Sequence, residues 1–590
     1  MNLNIKKLIY ISFIYLININ LIALDEIHSI KTSSGIVSGL KSNQVTSWDD
    51  IPYAKPPEGS LRWKAPRRLL SNQIIQSQSN NSCVQEPSSL GGVNGTRNIV
   101  GREDCLYLDI KAPSKKNNSE LLPVMFWIHG GGNTTGTKDI YDFGPMVKKH
   151  DVLVVTINYR LGPFGWFSHP AIQEMQSGLD KTSNFGTLDI IKALEWVQEN
   201  IILFGGDPSN VTIFGESAGG HNVLSLLVSN QAKGLFHKAI SQSGYTTSTD
   251  YQDAYIKSNK NSLFTHTSNS VVSNLFKNQP LPSKSKINTY LRALSADTFF
   301  KEYLNKSNLE IPLLTNDGIV IPKKGLQESL KDSSILNKVP TIAGSNRDEV
   351  KLWIGSAEYF VQAKFSFLGS ILGIPRVSLK DKDAFEAFNY YRSSAWQIRG
   401  VIEPLASLNQ AGNNNTYAYR YDWDDHRRFI VANFKEIIGA AHSTEIPLLT
   451  GNNKLVGDFG FLMYPRSLSK KFTSKNMMKF WTNFATTGEP GASTNNIYWD
   501  KYEKNDSKLM LLDRRSEMKY INFSTTYLSL VNQLNEDDRL SELEKCVVLY
   551  QMGVFIGNDI FDEIQAYSNF DCNRDNAKSF LEKNDSFIKY

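Results

Sequence analysis

The stretch VTIFGESAGG at residues 211–220 constrains the fold more than any other part of this chain. Its first half is apolar and partly β-branched, which is the composition of a buried strand. The following GESAG fits G-x-S-x-G, the pattern of a sharp strand-to-helix turn that holds a serine in a strained conformation with its Oγ exposed. Glycine suits the positions beside this serine because the cramped backbone leaves little room for side chains. The stretch therefore predicts that Ser217 is a nucleophile, although an ordinary Gly/Ser turn can give the same five letters.

Strands and helices alternate around this motif. Apolar runs at 124–129 and 152–158 are typical of buried strands, and shorter strands are indicated at 238–244 and 341–349. Residues 184–201 carry apolar side chains at helical spacing and predict an amphipathic helix. This alternation favours an α/β fold with a central, mostly parallel sheet flanked by helices. We interpret the polar, weakly periodic region 245–310 as a cap insertion, and we expect functional residues at the carboxyl ends of the strands.

A serine nucleophile needs an adjacent base, and in folds with this turn the chain order is serine, acid, histidine. The histidines that follow Ser217 are His221, His237, His266, His426 and His442. His221 lies on the helix that leaves the turn, and His426 lies in a charged stretch that we expect to be a solvated face. His442 is bracketed by small residues between two apolar runs. We therefore favour His442 as the base, with a purely structural core histidine as the alternative.

The candidate acids are Asp348 and Glu349, which both follow the TIAGSN strand in the polar loop that ends the stretch 341–349. The pattern alone does not separate the two carboxylates, and an Arg-Asp-Glu sequence is also typical of a loop surface. Acyl transfer further needs hydrogen-bond donors for a developing oxyanion. Residues 124–133, VMFWIHGGGN, predict a strand that ends in three glycines, whose N–H groups can approach a reacting carbon closely. Together with the N–H of Ala218, these glycines are expected to form an oxyanion hole.

Composition excludes several classes of function. The 590 residues are 41% hydrophobic and 21% charged, so the chain can build a sizeable core and is not expected to be disordered. The net charge of +5 is spread along the chain without a dense basic block, which gives no reason to expect nucleic-acid binding. The chemistry predicted above requires neither a cofactor nor a metal, and the expected partner is a small-molecule ester. The oligomeric state is left open.

The N-terminus is typical of a signal peptide. Lys6 and Lys7 precede an apolar run at 8–23, and cleavage after Ala23 is plausible, with an uncleaved signal anchor as the alternative. No later segment reaches the roughly 20 apolar residues that span a bilayer. We therefore predict a signal peptide at 1–23, a single catalytic domain at 24–552, a C-terminal tail at 553–590, and a secreted or endomembrane-lumenal location.

Cysteines and glycosylation motifs agree with that route. Four cysteines allow three pairings, and Cys83–Cys105 and Cys546–Cys572 close the shortest loops. Asn-x-Ser/Thr motifs are frequent in this Asn-rich chain. The motifs that lie in polar stretches are the candidate glycan sites, namely Asn80, Asn94, Asn117 and Asn414.

Several long motifs, all in one order, resemble the type-B carboxylesterase and cholinesterase family of α/β-hydrolases. The resemblance runs from about Gly35 to Met552. The motifs are YAKPPEGSLRWKAP (53–66), EDCLYLDI (103–110), WIHGGG (127–132), NYRLGPFG (158–165), ENIILFGGDPSNVTIFGESAGG (199–220), SQSG (241–244), SNRDE (345–349) and GAAHSTEIP (439–447). The resemblance implies an α/β-hydrolase fold with cap insertions and a serine esterase activity.

Position by position, the resemblance implies that Ser217 is the nucleophile, His442 the general base and Glu349 the acid. Gly131, Gly132 and Ala218 match the family's oxyanion donors. Glu216 matches an acidic neighbour of the nucleophile, which lies in a buried polar network in relatives. Cys83 and Cys105 match the first disulfide of the family.

The chain also departs from the family pattern. Asn133 stands where relatives commonly carry a bulky apolar residue, and no tryptophan lies between Cys83 and Cys105, where cholinesterases bind the choline cation. Glu403 lies near the place of the cysteine that relatives pair with the equivalent of Cys546, so Cys546–Cys572 is the expected pair here. We therefore expect a secreted serine carboxylesterase. The alternatives are a lipase-like enzyme for long acyl chains and a non-catalytic adhesion or structural relative.

Overall fold

The computed structural model describes residues 25–77, 81–88, 91–115, 120–258, 265–306, 310–364, 376–429, 432–503, 507–554 and 559–584. Within these residues, twelve strands form one large sheet. They are β1 (Asp25–Thr32), β2 (Gly35–Ser42), β3 (Val45–Pro52), β4 (Tyr107–Pro113), β5 (Leu122–Ile128), β6 (Leu153–Ile157), β7 (Gly206–Glu216), β8 (Lys238–Gln242), β9 (Thr341–Asn346), β10 (Thr416–Tyr421), β11 (Lys508–Leu512) and β12 (Tyr520–Asn522).

The strand order is β1-β2-β3-β4-β6-β5-β7-β8-β9-β10-β11-β12. The block from β6 to β11 is parallel throughout, whereas β1 to β4 at one edge and β12 at the other pair antiparallel. The mostly parallel sheet predicted from the sequence is therefore confirmed. Two small two-stranded sheets lie outside it, Thr249–Asp250 with Thr315–Asn316 and Val361–Lys364 with Arg376–Leu379.

The longer helices are α1 (Phe185–Asn200), α2 (Ala218–Leu227), α3 (Ser268–Leu275), α4 (Lys284–Ala293), α5 (Lys382–Gln397), α6 (Glu403–Gln410), α7 (Leu468–Thr487), α8 (Tyr527–Asn535), α9 (Glu542–Val554) and α10 (Arg574–Lys583). A π-helical turn, Ile398–Ile402, joins α5 to α6. The shorter α-helices are Gly144–Lys149, Gly162–Gly165, Pro170–Gln173, Tyr251–Ile256, Ala296–Phe300, Leu326–Ser329, Lys351–Ile354, Phe434–Ile437, Ile446–Thr450, Gly460–Met463 and Phe561–Gln565. The 3₁₀ helices are Gly59–Leu61, Lys138–Ile140, Gly178–Lys181, Ile201–Phe204, Asn230–Ala232, Lys301–Tyr303 and Lys454–Phe459.

The sheet is covered on both faces, and β5 shows this most clearly because all seven of its residues are buried. Val124 and Phe126 belong to the core that includes Leu194 of α1. Met125 and Trp127, which alternate with them, belong to a second core that includes Trp481 of α7. Since successive strand residues point to opposite faces, α1 and α7 cover opposite sides of the sheet.

The predicted helix at 184–201 and the strands at 124–129, 152–158, 238–244 and 341–349 are all present, with bounds that differ by a few residues. β7 begins at Gly206, whereas the sequence predicted the strand only from residue 211. The register against β5 shifts between Leu122 and Val124, so the early part of β7 pairs irregularly around its glycine and proline.

The described part of the cap region 245–310 folds mainly as helices, including α3 and α4. Their buried residues, such as Val272 and Leu291, form a small separate core with Trp63 and Phe167. The cap therefore packs on the side of the main domain through its own apolar cluster.

The disulfides Cys83–Cys105 and Cys546–Cys572 are both present, as expected from the sequence. The predicted domain end at 552 lies inside α9, and beyond it the helix Phe561–Gln565 and α10 pack against α9. The described part of the C-terminal region is thus folded onto the main domain.

Other predictions concern the surface and the termini. The signal peptide at 1–23 and the glycosylation candidates Asn80 and Asn117 lie outside the described residues. Asn94 and Asn414 are exposed, so a glycan can reach both. Among the described residues, no helix combines the length and the apolar character needed to cross a bilayer.

Candidate active site

Ser217 lies in the tight turn between β7 and α2. Its backbone has φ 59° and ψ −123°, a conformation that L-residues rarely adopt, and its N–H donates to the carbonyl oxygen of Gln242 over 2.9 Å. A Cβ on Gly215 would lie 2.6 Å from the carbonyl oxygen of Ile128, and one on Gly219 would collide with the same oxygen. The glycines of GESAG are therefore required by close packing of the turn against the end of β5.

Glu349 lies three residues beyond the end of β9 and reaches the candidate base. Its Oε2 is 2.6 Å from Nδ1 of His442, and its Oε1 accepts a hydrogen bond from the N–H of Asn346 over 2.7 Å. The N–H of His442 also donates to the carbonyl oxygen of Glu349 over 3.1 Å. Both side chains are buried. This carboxylate therefore holds the imidazole with its Nδ1 protonated and its Nε2 directed away from Glu349.

The Nε2 atom of His442 makes no hydrogen bond within the described part of the chain. Oε1 of Glu216, the residue before Ser217, lies 3.1 Å from it and accepts a hydrogen bond from the Ser443 hydroxyl over 2.7 Å. Ser217 itself is half-buried. The structure thus brings His442 beside the serine turn, with Glu216 as the charged neighbour of its Nε2 and without a His442–Ser217 hydrogen bond in the described residues.

Electrostatics around His442 are dominated by buried carboxyl groups. Burial lowers the pKa of the imidazole, but Glu216, Glu349 and Glu445 together outweigh burial and raise it to about 9. Burial also raises the pKa of Glu216, against the opposing effects of His442 and Ser443. Burial and the negative charge of Glu216 raise the pKa of Glu445 to about 8. Positive charge on His442 is therefore strongly favoured in this pocket.

Glu445 belongs to a buried network beneath the site. Its Oε1 accepts from the Gln242 amide over 3.1 Å, and its Oε2 accepts from the Asn346 amide over 2.7 Å. Gln242 in turn accepts a hydrogen bond from the indole of Trp481 over 2.9 Å. Since β8 and β9 end in Gln242 and Asn346, this network joins the ends of two neighbouring strands beneath the catalytic side chains.

Residues 130–136, here called the glycine loop, follow β5. Gly131 and Gly132 have φ values of 97° and 63°, which favour glycine. Their N–H groups donate no hydrogen bond within the described residues, and a Cβ on Gly130 would lie 3.1 Å from Cβ of Ser217. Ala218 is the first residue of α2, where a backbone N–H has no partner within the helix. Free backbone donors of the glycine loop thus lie next to Ser217.

Gln85 fixes the far end of the glycine loop. Its side-chain amide donates to the carbonyl oxygen of Gly136 over 2.8 Å and accepts from the N–H of Gly136 over 2.9 Å. Gln85 is fully buried and lies two residues after Cys83 in the disulfide-closed segment. The sequence analysis did not single out this residue, because nothing in its local pattern distinguishes it from other polar residues.

Residues 439–443, here called the histidine loop, are held by Asp348 and His426, neither of which the sequence analysis assigned to this role. Asp348 is the acid that the residue pattern alone did not separate from Glu349. Its carboxylate accepts a hydrogen bond from the N–H of Ala440 over 2.9 Å, and its own N–H donates to the carbonyl oxygen of Ala440 over 3.0 Å. His426 was expected on a solvated face, which is wrong: it is 5% exposed, and its Nε2 lies 2.8 Å from the carbonyl oxygen of Gly439. The charged neighbours of His426 in sequence concealed its buried position.

The remaining downstream histidines lie in other surroundings. Nε2 of His221 is 2.7 Å from the carbonyl oxygen of Thr247, and burial lowers its pKa to about 4. His237 accepts from the N–H of Val211 over 3.1 Å, and His266 lies in the cap beside Thr265. Of the five, only His442 contacts Glu349 or Glu216 in the described part of the chain.

Two indole rings flank His442. The ring centroids of Trp353 and Trp396 each lie 5.0 Å from the imidazole, and the two indoles lie nearly parallel with centroids 5.7 Å apart. Trp396 is buried and donates to the carbonyl oxygens of Ser243 and Gly244, whereas Trp353 is only half-buried. The wall beside the base is therefore apolar and aromatic.

Three carboxylates outside the site lie close enough together to suggest a metal position. Carboxylate oxygens of Asp50, Asp109 and Asp139 lie within 4.8 Å of one another. The ammonium of Lys138 lies 2.8 Å from Asp50, 2.8 Å from Asp109 and 2.6 Å from Asp139. This buried lysine already supplies the positive charge that a cation would bring.

Comparisons with known proteins agree with this geometry. The model of the carboxylesterase family matches residues 26–371 and 381–529. The para-nitrobenzyl esterase of Bacillus subtilis is 32% identical over 498 residues, which cover 82% of this chain and 94% of that protein. Carboxylesterase 1D of Mus musculus is 30% identical over 497 residues, 78% of this chain and 84% of that protein.

Solved structures give the same result. A thermophilic PNB esterase superposes with a TM-score of 0.65 at 28% identity, covering 84% of this chain and 98% of that chain. A carboxylesterase of Geobacillus stearothermophilus superposes with a TM-score of 0.61 at 25% identity, covering 82% and 96%. This chain therefore belongs to the carboxylesterase family and is a carboxylic ester hydrolase with the α/β-hydrolase fold.

Proposed function

We propose that the protein is a serine carboxylesterase in which Ser217 is the nucleophile, His442 the general base and Glu349 the orienting acid. The observation that carries this proposal is the 2.6 Å contact between Glu349 and Nδ1 of His442, which directs Nε2 towards Glu216 and the strained Ser217 turn. Hydrogen bonds of a catalytic histidine are often long before the substrate binds, so the missing contact to Ser217 is compatible with this role.

In the first half-reaction, Ser217 Oγ forms a bond to the ester carbonyl carbon while its proton moves to Nε2 of His442. The carbonyl oxygen becomes an oxyanion that accepts hydrogen bonds from the N–H groups of Gly131, Gly132 and Ala218. Collapse of this intermediate breaks the bond to the alkoxy group, which takes the proton from His442. The alcohol leaves, and the acyl group remains on Ser217.

In the second half-reaction, His442 takes a proton from water as the water oxygen attacks the acyl carbon. The same donors stabilise the second oxyanion, and its collapse returns the proton to Ser217 and releases the carboxylic acid. The imidazolium formed in each half-reaction is stabilised by the buried carboxylates of Glu349 and Glu216, which raise the pKa of His442.

The surroundings of His442 favour substrates with an apolar or aromatic group next to the ester. Trp353 and Trp396 form a flat apolar wall beside the imidazole, and the half-buried ring of Trp353 can cover such a group. The absence of a tryptophan between Cys83 and Cys105 argues against choline esters, because a cation-binding platform is missing there.

We infer that the chain enters the secretory pathway. Two disulfides suit an oxidising compartment, and the N-terminal apolar run provides the targeting segment. N-terminal sequencing of the protein released by a secreting eukaryotic host tests cleavage after Ala23. Loss of mass on deglycosylation of the wild type, but not of the Asn94→Gln/Asn414→Gln variant, would assign glycans to these exposed sites.

The catalytic assignment is tested with p-nitrophenyl esters from acetate to palmitate. The Ser217→Ala variant should lose about 10⁶-fold in kcat relative to wild type. The chain-length optimum of the wild type then distinguishes a carboxylesterase from a lipase-like enzyme. The proposal would be contradicted if the Ser217→Ala variant hydrolysed the esters at the wild-type rate. It would also be contradicted if the folded wild type hydrolysed none of the series.

A further inference from the structure

The oxyanion donors proposed above come from two different parts of the chain. Gly131 and Gly132 belong to the glycine loop after β5, whereas Ala218 begins α2 after β7. A single oxyanion can accept from all three N–H groups only if the two segments keep a fixed relative position. A displacement of about 1 Å in such a site can cost roughly 10²-fold in rate. A direct bond between the segments is therefore of catalytic value.

Asn133 is the residue of the glycine loop that faces α2. Its Oδ1 accepts a hydrogen bond from the Asn222 side-chain amide over 2.8 Å. Asn222 lies on α2, about one helical turn beyond Ala218. The hydrogen bond thus joins the segment that carries Gly131 and Gly132 directly to the helix that carries Ala218.

Both partners of this bond are firmly held. Asn133 is 1% exposed and Asn222 is fully buried, so water does not compete for the bond. The carbonyl oxygen of Asn133 accepts from the N–H of Gly162 over 2.7 Å. The hydroxyl of Tyr159 donates to the carbonyl oxygen of His129 over 2.7 Å and lies 3.3 Å from Oδ1 of Asn133. Asn133 is therefore held by Gly162 and Tyr159 in addition to Asn222.

The backbone of Asn133 explains why asparagine suits this position. Its φ of 59° lies in the left-handed region, which asparagine tolerates better than the bulky apolar residues common in relatives. Oδ1 of Asn222 has no partner within the described residues, so the amide of Asn222 is oriented by the bond to Asn133.

We propose that Asn133 and Asn222 are positioning residues that lock the glycine loop to α2 and thereby set the spacing of the oxyanion donors. The proposal rests on the proposed function, because it assumes an oxyanion at this place. Neither side chain contacts the reacting atoms, and neither is ionisable. Their effect is therefore expected on transition-state stabilisation at every pH, and not on substrate affinity.

The experiment compares Asn222→Ala, Asn133→Gly and the double variant with wild type. Glycine at 133 keeps the positive φ while it removes the side chain, so this variant is expected to fold even if Asn222→Ala does not. Ser225→Ala is the matched control, since Ser225 is a fully buried residue of α2 whose hydroxyl bonds only within the helix, to the carbonyl of His221. The readouts are kcat and KM for p-nitrophenyl acetate, the inhibition constant of a trifluoromethyl ketone, and the melting temperature.

Each single variant should lose about 10- to 100-fold in kcat, since each removes the bond that joins the glycine loop to α2. KM should change less than about threefold, and affinity for the trifluoromethyl ketone, which mimics the tetrahedral intermediate, should fall in parallel with kcat. The kcat of the double variant should not fall below that of the less active single variant, because both changes remove the same bond. Ser225→Ala should keep wild-type values of kcat.

The proposal is overturned if folded Asn133→Gly keeps wild-type kcat, if the two losses multiply in the double variant, or if melting temperature falls while ketone affinity is unchanged. Each of these results can be distinguished from a failure of the proposed serine esterase function. In that case the wild type itself would show no hydrolysis that depends on Ser217, and both proposals would fall together.

Discussion

The glycine loop and the histidine loop lie on two sides of the same serine, but they are held by opposite chemistry. Neutral amides fix the glycine loop, with Gln85 bonded to both backbone groups of Gly136 and Asn222 bonded to Asn133. Carboxylates fix the histidine loop, with Asp348 bonded to Ala440 and Glu349 bonded to His442.

This difference follows from what each loop presents to a substrate. Backbone N–H groups must stabilise negative charge, so a carboxylate close to them would compete with the oxyanion. An imidazole must gain positive charge during the reaction, and carboxylates around it favour that charge. Changes in the glycine loop should therefore lower the rate at every pH, whereas changes around His442 should alter how the rate depends on pH.

Among the residues that hold the two loops, the largest effect is expected at one of the two carboxylates that contact the histidine loop. Glu349→Gln should lose about 10⁴-fold in kcat, because an amide favours the wrong tautomer of a catalytic histidine. Asp348→Asn is the matched control: it changes the adjacent carboxylate, which contacts Ala440 and Arg347 but not His442. Steady-state kinetics with p-nitrophenyl acetate should show a far smaller loss for Asp348→Asn.

Asp348→Asn should instead affect stability. Arg347 and Lys351 outweigh burial and lower the pKa of Asp348 to about 2. The ionised carboxylate therefore stabilises the fold above its unfolded pKa of about 4, and this contribution is lost as the pH falls towards 2. Thermal unfolding at neutral pH should show a lower melting temperature for the variant. Equal losses of kcat in the two variants would remove the distinction between an orienting acid and a loop support.

An intermediate effect is expected at the anchor of the glycine loop. Gln85→Met keeps the side-chain length but leaves both backbone groups of Gly136 unpaired, so kcat should fall by about 10- to 100-fold through displaced oxyanion donors. The loss should be the same from pH 6 to pH 10. Val84→Ala, a buried neighbour in the same disulfide-closed segment, serves as the control. A loss of kcat that varies with pH would contradict the expectation that changes in the glycine loop lower the rate equally at every pH.

The smallest effect on the maximal rate, and the clearest effect on pH dependence, is expected from Glu216→Gln. The base must be neutral, and its pKa of about 9 makes the rate rise with pH towards that value. Removing the negative charge beside Nε2 lowers this pKa, so the rising limb of kcat/KM should move to lower pH by about one to two units. Glutamine can still accept the hydrogen bond from Ser443.

Glu349 and Glu445 also act on the pKa of His442, and Glu445 itself titrates near pH 8. The Glu445→Gln variant therefore shows whether that group contributes to the rising limb. A limb that stays in place in Glu216→Gln, or moves to higher pH, would show that Glu216 does not set the protonation of the base.

The sequence alone predicted the alternation of strands and helices. Short runs such as 124–129 and 152–158 are almost entirely apolar, so they favour buried strands in any fold of this chain. It also identified the serine turn, because GESAG fits the G-x-S-x-G pattern, although the crowding that requires these glycines comes from Ile128 on the neighbouring strand. The position of His442 between small residues and apolar runs was sufficient to favour it as the base. The order of the motifs was sufficient to indicate the carboxylesterase family.

The residue pattern left open which of two adjacent carboxylates faces the imidazole, and only the family resemblance favoured Glu349. The tertiary structure puts Glu349 against His442 and Asp348 against Ala440. Asp348 and Glu349 differ by one position in the chain, and the direction of each side chain depends on how the histidine loop packs against the end of β9. The same holds for Gln85, Asn222 and His426, whose partners lie 51, 89 and 13 residues away in sequence. Such contacts leave no local pattern, because they are formed by backbone and side-chain groups that only the folded chain brings together.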